Sequence, residues 1–526
     1  MTSQTSAGQQ SPRALLWPTI LLLGLAILAV LIFLNPMWAV LVLVALASLV
    51  ITWRYPFGSL GALVVLLPFH EGIQRILTWQ WGWAASRITL FSLWKEGLIL
   101  LLFAVMILQH LTKPERRIRY KVYHFDLWLV ALALLSAAYI VVAATGEIGV
   151  FGFRNYFEPI ALLFLARLMP YSRRDLRRLL IVLALVAALV AAYGIYQALF
   201  IDFATMVQLG YVDEFGNLPF AFKTALRDAQ PRPRAISTVT GPNQLAIYLN
   251  LFILLCGYAL LYMGQQGQVA GDNQSLRSRY RLGSTLPLLA LILLYGACLL
   301  LTYSRGGLVA LGASILAGAA IYLYDRGLKR TWREITSNKL VMAGLVALII
   351  LALVGVVVSG FGQRVWRGLT GQDPAALGHV DSLVYAVNFV TENPVGTGMG
   401  MAGPRALRFQ RESEIPLEIE HTESTYLQFG MEMGIFGMLL LMLFFLSLIA
   451  TLWRLRKRQK QRGDLEAQML TEVALVAWIG MLAVFTVTPL MQNFLVASYL
   501  WLMAGFAFHL DAYARPASVE PKRAEG

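Results

Sequence analysis

The chain has 526 residues, of which 58% are hydrophobic and 14% charged, with a mean hydropathy of +0.65. Soluble domains carry about 25% charged residues, so an ordinary cytosolic enzyme, a disordered chain and a disulfide-stapled secreted module are excluded, which leaves a polytopic membrane protein. The 43 Lys and Arg against 29 Asp and Glu give a net charge of +14, which in a membrane protein reads first as loop charge retained in the cytoplasm rather than as a nucleic-acid partner.

A bilayer core needs about 20 apolar residues per helix. Taken in chain order, such runs fall at about 14–34, 37–53, 57–70, 91–111, 125–144, 156–171, 179–200, 244–263, 286–303, 308–324, 340–361, 427–452, 470–488 and 492–510. The runs at 57–70 and 156–171 are short. The ten-residue alternation of a membrane barrel is missing. The first run is too long, and too closely followed by a second, for a cleaved signal peptide. The expected fold is therefore all-α, a polytopic transmembrane helix bundle of about 12–14 spans. Cys256 and Cys298 lie inside apolar runs and read as small core residues.

The connectors at about 112–122, 172–178, 325–339 and 453–463 are strongly basic. With these inside, fourteen spans alternate consistently and both termini are cytoplasmic. On that topology 28 Lys and Arg fall on the cytoplasmic side, 14 fall outside and Arg167 lies within a span. The chain then divides into a polar tail (1–13), N-terminal transmembrane helices (14–200), a core (201–452), C-terminal helices (453–510) and a second tail (511–526). The core holds two long outer loops, 201–243 and 362–426, and long connectors in helix bundles tend to be functional. In the second loop Leu383, Val384, Val387 and Val390 share a helical face, as expected of a short helix lying at the membrane surface. A turn-rich ENPVGTGMG segment follows it.

There is no phosphate loop, zinc helix or nucleophile elbow. No acidic ligand cluster points to a divalent cation, so neither metal nor cofactor is expected. What remains is a set of outward arginines and one histidine. Arg305, in LTYSRGGLVAL, stands near the outer boundary beside glycines that permit close backbone approach. Its backbone setting suits an anion, although a snorkelling helix-end arginine fits the same pattern. Arg234, in RPRAISTVTGPNQ, precedes a helix expected to start at Pro242-Asn243 and is either an anion ligand or a solvated loop charge. Arg154, in GFRNYFEP, is a third outward arginine that Glu158 could pair with at helical spacing. His421, in EIEHTESTYLQFGMEMGIFG, is suited to act as a general base. Glu423 is a second possible base, and Glu423 or Ser424 could equally cap the helix that begins near Thr425. Gly430, Gly434 and Gly437 read as close helix packing.

RPRAISTVTGPNQLAIYL, LTYSRGGLVAL, ENPVGTGMG and HTESTYLQFGMEMGIFG, in this order, make the chain resemble the O-antigen ligase and O-antigen polymerase family of bacterial envelope enzymes, over about residues 150–450. The resemblance implies a C-type glycosyltransferase architecture in the bacterial inner membrane, with the active site facing the periplasm. It implies a donor glycan on undecaprenyl diphosphate and direct, inverting displacement. The acceptor is lipid A–core for a ligase, or another lipid-linked repeat unit for an O-antigen or exopolysaccharide polymerase; a chain-length regulator is a further partner some members would need. By the same resemblance Arg234 and Arg305 hold the diphosphate, with Arg154 a third candidate, and His421 is the base. Bidentate arginines suit a diphosphate without a metal. Two positions depart from the family pattern. Glu423, not His421, stands three residues before the Tyr426-Leu427 pair, and HVDSLVYAV, with His379 and Asp381, occupies a stretch where members usually carry an arginine. A polysaccharide transporter or flippase would hold its polar residues at the membrane midplane. A cell-wall polymerase of the shape, elongation, division and sporulation type would favour an acidic base such as Glu423. Both remain alternatives.

Overall fold

The computed structural model describes residues 36–113, 120–213, 216–223, 231–269, 274–327, 374–402 and 422–513; the expected spans 14–34 and 340–361 lie outside them. Each of the other expected spans coincides with a helix, and no strand occurs among the described residues. Eight described helices, or nine if one bent pair is counted as a span, are long and apolar enough to cross a membrane. The chain is an all-α polytopic helix bundle.

The first half contains α1 (Pro36–Arg54), α2 (Pro56–Leu66), α3 (Ala85–Ser92), α4 (Trp94–Thr112), α5 (His124–Ala138), α6 (Gly146–Phe157), α7 (Ala161–Leu168), α8 (Arg173–Phe200) and α9 (Phe203–Gln208). Helix α2 continues through a tight turn into His70–Arg75 and Ile76–Gln80. The second half contains α10 (Pro242–Val269), α11 (Gln274–Leu301), α12 (Arg305–Arg326), α13 (Pro374–Glu392), α14 (Thr425–Gln461), α15 (Leu465–Val484) and α16 (Phe494–Ala512). The apolar run expected at 156–171 starts earlier, at Gly146, and bends by 41° between α6 and α7. Pro159 stands at the bend, where its missing N–H interrupts the helical ladder.

Helices α10, α15 and α16 form the centre, with 78%, 78% and 94% of their apolar windows buried, against 22% for α12 on the outside. Trp478 of α15 and Trp501 of α16 meet at 4.3 Å. Small residues set the closest approaches, as in other membrane bundles. A Cβ on Gly480 would lie 2.1 Å from Ser314 Oγ, and one on Gly505 would lie 2.6 Å from Leu163 O. Outer helices leave Leu100, Leu111, Leu316 and Phe436 exposed, a surface that only lipid tolerates over such an extent. Cys256 and Cys298 are free and buried.

One end of the bundle is basic. There Asp511 receives Lys121 at 2.6 Å, Arg462 at 3.0 Å and Arg458 at 3.4 Å. Buried Arg456 pairs with Glu472 at 2.7 Å and with Asp325. Buried Arg167 holds both oxygens of Asp126, at 2.7 and 2.9 Å. Arg173 grips Asp464. Burial pushes the Asp464 carboxyl up, but hydrogen bonds from Arg173 and the Ala467 amide outweigh it and hold the group below the usual range.

At the other end α14, which begins at Thr425, is broken at Gly434, between its second and third turns. Gly434 has φ 69° and ψ −173°, a region essentially restricted to glycine. The break separates Met431 and Glu432 carbonyls from their helical donors, and at membrane depth such groups need new partners. The 393–402 segment supplies them. Thr397 N donates to Met431 O at 3.0 Å, Gly398 N to Glu432 O at 2.9 Å, and Ile435 N to Pro394 O at 3.0 Å. Gly434 is closely packed, as expected, but against the backbone of Pro394 and Val395, and it is also a backbone break; Gly430 packs against Val390 of α13.

The helix expected at 382–391 is real but longer, Pro374–Glu392. Its packed face is Ala386 and Val390, with Tyr385 and Phe389, against Met431 and Ala402. Val384 and Val387, expected on one face with Val390, are exposed. Ala386 permits the close approach, and the two aromatics bring more area to the contact than the valines would.

Gly434→Ala should lower stability by about 2 kcal/mol or more, from left-handed strain plus the collision with Pro394 O. Gly312→Ala on α12, where a Cβ meets nothing, should be neutral or slightly stabilising. Thermal unfolding of the purified protein in detergent measures both.

Candidate functional site

The segments singled out in the sequence converge on the end of the bundle opposite the basic cluster. The first is 231–241, which crosses between α2 and α11. Ala235 N donates to Leu301 O at 2.9 Å, and Arg234 N donates to Phe222 O at 3.0 Å. Thr238 Oγ1 donates to Pro68 O at 2.7 Å, and Arg75 Nη2 donates to Val239 O at 2.6 Å. Ser237 is fully buried, with φ 59°. Its left-handed backbone costs on the order of 1–3 kcal/mol and is held in place from three directions. Gln197 Oε1 accepts from Ser237 N at 2.7 Å, Ser237 Oγ donates to Val190 O at 2.7 Å, and Tyr211 Oη donates to Ser237 O at 2.6 Å. Burial pushes the Tyr211 phenol well above its usual value, so it stays protonated and keeps donating.

The second segment is the α11–α12 turn. Tyr303 is the other left-handed non-glycine residue among the described residues, with φ 50°. Ser304 caps α12, its Oγ accepting from Gly307 N at 3.1 Å. Arg305 is consequently the first residue of α12, where first-turn amides and the helix dipole add positive potential beside its own charge. Gly307 lies against Ala246, and its carbonyl accepts from Asn250 Nδ2 at 2.7 Å. Gly306 faces Val484 and Thr488.

Arg234 reaches across to this turn. Its Nε donates to Thr302 O at 2.7 Å, its Nη1 to Ala221 O at 2.8 Å and its Nη2 to Asn243 Oδ1 at 3.3 Å. These three oxygens are neutral, and together they orient the guanidinium. Arg154 is in a different state. It pairs with Glu158 at 3.0 Å and with Glu96, while Lys95 contacts Glu96 at 2.5 Å and Glu158 at 3.3 Å. Two cations and two carboxylates make this cluster neutral. The pairing of Arg154 with Glu158 raised by helical spacing is present.

The third segment leads into α14. His421 lies outside the described residues. Ser424 takes the N-cap, its Oγ accepting from Leu427 N at 3.4 Å, and Glu423 is left for other contacts. Thr425 N donates to Phe485 O at 2.9 Å, and Thr425 Oγ1 to Thr488 O at 3.1 Å. The Phe485–Thr488 turn therefore carries the start of α14, next to Glu423, and lies against Gly306, next to Arg305. Glu423 also binds α13: its backbone N donates to Ser382 Oγ at 3.2 Å, and its carboxylate contacts His379 Nδ1. Glu432 is fully buried just before the break, with Tyr156, Gln428 and Ala402 N around Oε1 and no hydrogen bond to Oε2.

The O-antigen ligase family model matches residues 289–442, from within α11 to the middle of α14. This supports the O-antigen ligase and polymerase family read from the motifs. The matched span contains Arg305, His379, Glu423 and the Gly434 break; Arg154 and Arg234 precede it. No curated protein matches the chain.

Sequence reasoning passed over Arg75, Gln197 and Tyr211, which brace the 231–241 segment. Arg75 carried a signal, as a charge just beyond a short apolar run on the outer side. Gln197, polar near the end of a long apolar helix, carried a weaker one.

Arg234→Lys keeps the charge but replaces a three-way fork by one ammonium. It should cost about 2 kcal/mol of stability, read as a lower midpoint of thermal unfolding. An unchanged midpoint would mean that the fork does not tie the two segments together.

Proposed function

We propose that the protein is a membrane glycosyltransferase that moves a glycan from undecaprenyl diphosphate to an acceptor hydroxyl on the periplasmic side of the inner membrane. The acceptor is lipid A–core if it acts as a ligase, or the sugar end of another lipid-linked repeat if it acts as a polymerase. The observation that carries this reading is that the starts of α12 and α14, next to Arg305 and Glu423, both pack on the Phe485–Thr488 turn, with both residues inside the O-antigen ligase match.

The chemistry follows from what those groups do. The leaving diphosphate gains negative charge as the bond from the sugar's anomeric carbon to oxygen breaks. Arg305 at a helix N-terminus, with Arg234 oriented toward the same turn, stabilises that charge. A base from the 421–423 segment takes the acceptor proton. Displacement from the face opposite the diphosphate inverts the anomeric centre. Guanidinium groups and helix amides supply the counter-charge, so no metal is required by this scheme. Arg154, matched by two carboxylates, holds α4 to α6 and acts on the donor less directly than Arg305. The excess of cations at the opposite end supports a cytoplasmic location for that end, with both termini on the same side.

Arg305→Ala in full-length protein, reconstituted with a lipid-diphosphate-linked glycan and an acceptor glycan, should slow transfer by about 10²–10³-fold, with the melting midpoint recorded alongside to show that the variant is folded. Transfer at the wild-type rate would overturn the diphosphate assignment. Deletion in a cell that makes the polymer separates the acceptors. Long lipid-linked chains accumulating without attachment mark a ligase, and single repeats on lipid A–core mark a polymerase.

A further inference from the structure

A cavity of about 550 Å³ opens at the basic end of the bundle, far from the segments that converge at the other end. Tyr55, Pro56 and Phe57 line it from the α1–α2 junction, and Pro170, Asp175 and Arg178 from the α7–α8 junction. We propose that this cavity binds the headgroup of an anionic phospholipid, with Arg178 as a ligand of its phosphate and the exposed apolar stripe of α8 as the track of an acyl chain.

The sequence builds the cavity. Pro56 and Pro170 each lack the amide that would carry a helix through the junction, so both pairs of helices turn there. Phe57 stacks on Tyr171 at 4.3 Å, and a Cβ on Gly61 would lie 3.4 Å from Leu179 Cδ1, so α2 is seated against α8. Tyr55, Pro56, Asp175 and Arg178 fall between the apolar runs, with Phe57 and Pro170 at the ends of two of them. The cavity therefore opens at the depth where hydrocarbon gives way to headgroups, and Tyr55 is exposed there as an interfacial aromatic.

The charge around it is positive. Of the four arginines in 173–178, Arg173 grips Asp464, and Arg177 contacts Glu466 at 3.3 Å. Arg174 and Arg178 join no ion pair among the described residues, nor does Arg54, which precedes Tyr55. One carboxylate, Asp175, is in the lining. Its Oδ2 is committed to the start of α8, accepting from Ser172 N at 3.2 Å and from Ser172 Oγ at 2.6 Å, and both Arg174 and Arg178 offset its charge. Cations thus outnumber the carboxylate, and basic pockets between membrane helices at such a depth suit phosphate headgroups.

A soluble phosphate would share that chemistry, and the helix surfaces favour the lipid. From Arg178 the exposed residues Ile181, Leu185 and Leu189 continue along α8 at helical spacing, into the bilayer. Exposed Ile51 and Val50 continue from Arg54 along α1 in the same sense. An amphiphile with its phosphate on Arg178 lays its chains on these stripes, whereas a soluble anion gains nothing from them.

The test uses full-length protein in detergent, stripped of lipid and titrated with mixed micelles of phosphatidylglycerol or phosphatidylcholine, or with glycerol phosphate alone. Native mass spectrometry counts retained lipid, and the midpoint of thermal unfolding without lipid shows that each variant is folded. Phosphatidylglycerol should bind about tenfold or more tightly than phosphatidylcholine. Arg178→Gln should weaken phosphatidylglycerol by about 10–100-fold and Arg54→Gln by less, while Arg454→Gln, an exposed charge of α14 that does not line the cavity, should change it by less than about twofold. Leu185→Ser should weaken it severalfold. Undiminished binding in both Arg178→Gln and Arg54→Gln would overturn the site. So would an equal loss in Arg454→Gln, which marks diffuse attraction of an anionic surface to the whole basic end. Equal affinity for phosphatidylcholine would overturn the selection for an anionic headgroup, and equal affinity for glycerol phosphate would assign the cavity to a soluble anion instead of a lipid.

Discussion

A polypeptide at membrane depth has no water to satisfy its backbone, and the break of α14 at Gly434 is where this protein meets that constraint most sharply. A helix interrupted there exposes two carbonyls and an amide. The 393–402 segment answers with Thr397 N, Gly398 N and Pro394 O. Its own alternation of Gly396, Gly398 and Gly400, all with positive φ, follows from how closely it is clasped. A Cβ on Gly398 would strike the backbone of Ala143, and one on Gly400 the carbonyl of Ile148. The two motifs are one structure, and α13 and the start of α14 take their positions from it.

Electrostatics divides the molecule along its long axis. At the basic end arginines and lysines are matched by Asp325, Asp464, Glu472 and Asp511, and these pairs fasten the helices there. Breaking such a buried pair typically costs about 3–5 kcal/mol. At the other end Arg234 is oriented by neutral oxygens, and Arg305 sits at the positive end of a helix. Arg154 is paired with Glu158 and Glu96.

The helices were legible because apolar run length is a strong signal in membrane chains. Runs such as 179–200 and 427–452 reappear as α8 and α14. The α6–α7 bend was hidden because α6 carries Glu147, Arg154 and polar neighbours and does not read as apolar. Arg305 at the start of a helix and Ser424 as a cap were readable from local chemistry. The meeting of His379 with Glu423 was not, because it depends on how α13 docks across a separation of 44 positions in the chain. Hydrophobic periodicity also misjudged the docked face of α13, since Ala386 counts for little in a pattern and decides how closely two helices pack.

The clasp between residues 393–402 and the Gly434 break has a consequence for recombination between relatives. Each strand of the clasp is shaped to the other's backbone, with glycines placed where the opposing chain leaves no room. A chimera that imports one from a homologue and keeps the other would join two surfaces never fitted together. Exchange of substrate preference between such proteins is best attempted with both pieces moved as a single cassette, together with α13, which is seated on them.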